Sequence, residues 1–149
     1  MKKMIIVVAA ILLGSGAVMA DQKLAVTQDN LMRGLAKSMY DVIGKMARGD
    51  KPYDQAAVDA AIAQIAADVP KIPDTFKDNP KEDVTNAHYG ASQKVWQNKA
   101  DFDSKVPVVI KAVASVKGTV KDLDSLKVAF KTMNDACNGC HETYRVKLK

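Results

Sequence analysis

The 149-residue sequence is poor in cysteine (two), histidine (two), tryptophan (one) and glycine (eight), and only 5% of it is aromatic. Each shortage excludes something. Cys137 and Cys140 are separated by two residues, and so short a loop gains little from cross-linking, because the entropic benefit of a disulfide grows with loop length. There is no Gly-rich phosphate loop, no Ser/His/Asp motif and no convincing pair of carboxylates, so no catalytic constellation points to an enzyme. Sustained apolar–polar alternation is missing, which argues against a β-rich domain. Charge is nearly balanced: 22 basic against 17 acidic residues give a formal +5 at pH 7. No basic block is interleaved with aromatics, so nucleic acid is not an expected partner.

The first twenty residues stand apart from the rest. Lys2 and Lys3 precede an apolar run over residues 4–13, and Val18-Met19-Ala20 reads as a cleavage site. That is the pattern of a secretory signal peptide, and the run is well short of the roughly 20 residues that a spanning helix needs. The expectation is a cleaved leader over residues 1–20 and one domain over residues 21–149, exported to a bacterial periplasm. No later run is long enough to cross a membrane.

Four segments with helical periodicity follow, separated by Pro and Gly. The first covers residues 27–48, with Thr27 or Asp29 as cap and Gly49 as stop. Met32, Leu35, Met39, Val42 and Met46 form its stripe, at heptad spacing. The second opens after Asp54, buries Val58, Ile62, Ile65 and Val69, and ends at Pro70 and Pro73. The third runs from Asn86 or Ser92 to Lys117, with Val95, Phe102, Val106, Val109, Ile110, Val113 and Val116 inward. Pro107 is expected to kink or split it, and Gly118 stops it. The fourth runs from Asp122 to near the C-terminus, with Leu123, Leu126, Phe130, Met133, Cys137, Cys140, His141 and Tyr144 on one face. The fold class expected is all-α, an antiparallel four-helix bundle.

The chemistry sits on the last helix. Positions i, i+3 and i+4 place Cys137, Cys140 and His141 on one stripe. Two thiols so placed suit the two vinyl groups along one porphyrin edge, and the next imidazole suits the iron. C-x-x-C-H is the attachment signature of c-type haem. A structural zinc site needs four ligands, and the only other His or Cys is His88. A thioredoxin-like dithiol belongs near a βαβ pattern, which is absent.

The motif lies near the C-terminal end of a four-helix array, and in this the chain resembles the class II c-type cytochromes, the group of cytochrome c′ and cytochrome c-556. The strongest part is "FKTMNDACNGCHETYRVKLK", with its C-x-x-C-H-x-x-[YF]-[RK] ending. "ARGDKPYD" and "VWQNKADFD" are weaker echoes. The resemblance covers essentially all of residues 21–149, and cytochrome c′ is itself a known up-down-up-down bundle. It implies one covalent haem c with its iron, Cys137 and Cys140 as thioether anchors, His141 as proximal ligand, and Arg145 as a basic residue beside the proximal imidazole. A plain alternative for Arg145 is a C-terminal charge complementing the helix dipole.

The resemblance also places the distal residue on the first helix, where methionine-ligated members read R-x-x-x-M. Here the segment is "TQDNLMRGLAKSM", with Gln28 in place of the Arg and Met32 as the candidate ligand. A one-residue shift brings Leu31 or Leu35 to that place. Met32, Met39 and Met46 also fit an ordinary core seam, and Met is a common gap-filler. Methionine ligation implies a six-coordinate electron-transfer centre; an apolar distal residue implies five-coordinate iron open to NO or CO. The function expected is a periplasmic single-electron carrier resembling cytochrome c-556, with His141 and Met32 on the iron. The alternative is a cytochrome c′-like protein binding NO or CO. His88, the other possible ligand, is read as a solvated surface group, and Trp96 and Phe102 as core, with packing near the haem as the alternative for Trp96. Lys127, Lys131, Arg145, Lys147 and Lys149 make a basic surface suited to acidic redox-partner proteins or simply to solubility. A homodimer through the outer faces of the first two helices remains open.

Overall fold

Two glycines with left-handed backbones, Gly49 (φ 82°) and Gly118 (φ 75°), end helices where the sequence places stops. Only glycine adopts that conformation without steric cost. The computed structural model describes residues 12–148. Helix α1 spans Leu12–Ala36 and continues through a π-helical segment, Lys37–Gly44, into α2, Lys45–Ala47. Helix α3 spans Gln55–Asp68 and is followed by a 3-10 turn, Val69–Lys71, and α4, Ile72–Thr75. Strand β1 spans Tyr89–Ala91, α5 Lys94–Gln97, α6 Lys99–Val116, α7 Leu123–Tyr144 and β2 Arg145–Lys147.

These elements form the expected four-helix bundle. Helix α7 packs on α6 and on the π-helical segment, and α3 packs on that same segment and on α6. Ile43, Val58, Ile62, Val113, Leu126 and Met133 are fully buried between them. Burying one such side chain stabilises the fold by about 1.5–3 kcal/mol. The expected N-caps of α3 and α7 are in place. Asp54 accepts from Ala57 N–H at 3.1 Å, and Asp122 and Ser125 form a reciprocal capping box.

Several expectations need correction. Thr27 and Asp29 do not cap a helix, because α1 begins at Leu12 and runs through both; Thr27 Oγ1 donates to the Lys23 carbonyl at 2.9 Å, and Asp29 pairs with Arg33. The π-helical turn departs from a regular heptad seam. Its wider turns bury the adjacent pairs Ser38–Met39 and Ile43–Gly44 together. Gly44 fits there because a Cβ would lie 3.1 Å from the Phe130 ring. Pro107 does not split the third helix, since α6 runs through it. Pro107 is exposed, so water can replace the backbone bond it forgoes. The break falls at Asn98, which leaves the helical region (φ −126°, ψ 48°). Ile110 and Leu123 are 40% and 37% exposed rather than inward. The unforeseen strands pair antiparallel, Gly90 opposite Val146, and clip the C-terminus to the segment before α5.

Of the expected leader, residues 1–11 lie outside the described residues, and α1 passes Ala20 without a break. Among the described residues no helix is long and apolar enough to cross a membrane.

Candidate functional site

Helix α7 builds the site. Its first half is anchored in the core by Leu126, Ala129 and Met133. One face of its second half carries Cys137, Cys140 and His141, all half-buried. These three line a cavity of about 720 Å³, closed by Met32, Leu35 and Met39 from the first helix and by Phe102, Val106 and Val109 from α6. The segment before α5 and both strands form its mouth.

The electrostatics follow from burial. Both thiols are pushed up, Cys140 to about 11, because burial disfavours the thiolate and Cys137 lies close by. His141 is pushed down to about 4, first by burial and then by the Arg145 guanidinium. The site therefore presents a neutral imidazole, two protonated thiols and apolar walls. His141 Nδ1 is buried with no hydrogen-bond partner among the described residues. Buried polar atoms are nearly always paired, and His141 is also among the residues that line the cavity, so this imidazole fits a site that takes a group from outside the polypeptide. No group of three His, Cys, Asp or Glu side chains gathers as a metal cluster among the described residues. The donor set fits a porphyrin iron with one protein imidazole on one side.

Met32 and Leu35 both line the cavity, whereas Leu31 packs on the core outside the lining. Met39 is buried and also lines it; Met46 does not. Arg145 is the first residue of β2, not a continuation of α7, and its guanidinium stands over the Tyr89 ring, 4.7 Å from the centroid. His88 is exposed at the mouth, and its carbonyl accepts from Leu148 N–H at 3.0 Å. Trp96 lines the cavity and donates from Nε1 to the Phe76 carbonyl at 3.1 Å.

Three side-chain hydrogen-bond arrangements had no clear signal in the sequence, although Tyr144 itself was expected on the inward face of the last helix. Gln28 is 4% exposed, and its amide donates to the carbonyls of Thr75 and Asp78 at 3.1 and 3.0 Å. It pins α1 to the end of α4 and leaves no side-chain donor for an anion. Tyr40 lines the cavity and donates to Asn134 Oδ1 at 3.0 Å; burial, then the nearby Cys137, pushes its hydroxyl up. Tyr144, buried against Phe102, donates to Asp101, whose other oxygen pairs with Lys105 at 3.4 Å.

Comparison with known proteins agrees with this geometry. The family model described as Cytochrome C' matches residues 25–145. The chain is 62% identical to cytochrome c-555 of Bradyrhizobium diazoefficiens, with all of both chains covered. A solved structure of oxidized cytochrome c556 from Rhodopseudomonas palustris is 36% identical, with a TM-score of 0.64 over 89% of this chain and 98% of that one. Cytochrome c′ from the same organism is 27% identical, with a TM-score of 0.72 over 85% and 98%. The cavity, the C-x-x-C-H stripe and these likenesses agree, and the chain belongs to the cytochrome c′ family of class II c-type cytochromes, whose cofactor is haem c.

Proposed function

We propose that the protein is a periplasmic single-electron carrier of the cytochrome c-556 kind and not an enzyme. Haem c, when bound, supplies an iron centre that changes charge by one electron. Cys137 and Cys140 would hold it through thioethers, and His141 and Met32 would be the side chains that ligate its iron. One observation carries this reading: Cys137, Cys140, the neutral His141 imidazole and Met32 all line one cavity, while Leu31 does not.

The chain's own residues set the conditions. The apolar wall of Phe102, Val106 and Val109 lowers the local dielectric and excludes water. The fixed cation of Arg145, close enough to depress the His141 imidazole, disfavours the more positive oxidised state. Gln28 and the β1–β2 clip hold the mouth segment at both ends, so little reorganisation accompanies a change of charge. Lys2, Lys3 and the apolar run after them support export with loss of residues 1–20.

A second reading is favoured by Leu35, which lines the same cavity as Met32. If Leu35 faced the iron, the protein would bind NO or CO as a five-coordinate haem protein. Adding CO to the reduced holoprotein separates the two. Sharp low-spin bands that CO leaves unmoved support the carrier; a broad high-spin spectrum that shifts with CO would sink it.

A further inference from the structure

Residues directly opposite in an antiparallel pair share a face of the sheet. Tyr89 is opposite Lys147 and Ala91 opposite Arg145, so Tyr89, Arg145 and Lys147 stand together on one face of the clip. Gly90 and Val146 point to the other face, where the Asp83 carboxylate lies; a Cβ on Gly90 would meet its Oδ1 at 2.5 Å. Tyr89 is 51% exposed beneath the Arg145 guanidinium. Neither Arg145 nor Lys147 has an acidic partner among the described residues. Elsewhere on α7 the expected basic surface is cancelled, because Lys127 pairs with Asp124 and Lys131 with Asp135. The unpaired cations of the described C-terminal region are thus Arg145 and Lys147, both on the clip, with Glu142 the one unpaired carboxylate near them at the end of α7; Tyr89 and Arg145 also line the cofactor cavity.

We propose that the Tyr89–Arg145–Lys147 face is the docking site for an acidic redox-partner protein; this rests on the electron-carrier reading and names the surface that reading requires. Tyr and Arg are, with Trp, the residues enriched at the energetic centre of interfaces. A guanidinium already stacked on a ring loses less freedom on binding than a free one. Unpaired cations at the rim steer an acidic partner and make association salt-sensitive. The matching surface presents carboxylates around an apolar or aromatic contact.

The test is a chemical-shift titration of isotope-labelled, reduced holoprotein with poly-L-glutamate at low and high salt. At low salt the shifts are expected to cluster on residues 89–91 and 145–148 and to vanish at high salt. Lys147→Glu should weaken binding several-fold, while the charge-matched Lys131→Glu should leave it nearly unchanged. Shifts spread along α7, or equal weakening by both variants, would overturn the assignment. So would clip resonances that move with protein concentration alone, which would give the face to a second copy of the chain. The titration reads docking whichever residue ligates the iron, so its failure and the failure of the Met32 assignment are told apart.

Discussion

Gln28 is bonded to Thr75 across the bundle: the side-chain amide of α1 donates to the backbone carbonyl at the end of α4 at 3.1 Å, and to Asp78 at 3.0 Å. A buried amide that bonds two carbonyls is costly to remove, above all at the half-buried Thr75, whereas the exposed Asp78 can turn to water. Gln28→Ala should destabilise the holoprotein by about 1–3 kcal/mol, read as a lower denaturant midpoint with an unchanged slope. An unchanged midpoint would mean that the segment after α4 is held by other contacts.

Tyr144 and Asp101 make a pH-sensitive link between α7 and α6. The hydrogen bond holds Asp101 below its usual range and pushes Tyr144 up to about 12. A depressed carboxylate contributes stability that is present above its ordinary value of 3.8 and is lost as pH falls through the folded value. A raised phenol contributes stability that is present below 10 and is lost as pH rises through about 12. Wild-type stability should therefore slope at both ends, and Tyr144→Phe should flatten both slopes in unfolding curves recorded across pH.

Cys137 and Cys140 should each carry a thioether. Either single Cys→Ala variant is expected to keep covalent haem on a denaturing gel with an altered pyridine-haemochrome spectrum. The double variant should lose covalent haem altogether. Haem staining that survives the double change would remove both anchors from the account.

Export should leave a mature chain that begins at Asp21. The intact mass of periplasmic protein is expected to equal residues 21–149 plus one haem. A mass that includes the first twenty residues would contradict the leader.

Features encoded by local chemistry were legible in the sequence. Asp54, Asp122, Gly49 and Gly118 mark helix ends through caps and left-handed turns, which depend on a few neighbouring residues. Cys137, Cys140 and His141 were legible because helical spacing alone puts them on one stripe. What depends on distant partners was not. The three-residue strands exist because residues 89–91 meet residues 145–147, a pairing with no local signal. The burial of Gln28 is set by carbonyls nearly fifty positions away. Pro107 misled because its fixed φ suits a helix and its exposed position leaves the lost bond to water. The pairs of Lys127 with Asp124 and Lys131 with Asp135 are local, at i,i+3 and i,i+4, and helical spacing alone is enough to read them.

Met32 is the residue proposed to close the distal side of the iron. X-ray absorption at the iron edge of the reduced holoprotein tests it most directly. A sulfur neighbour is expected in the wild type, lost in Met32→Ala and retained in Met39→Ala. A wild-type iron with no sulfur neighbour, or one that keeps it in Met32→Ala, would contradict the account.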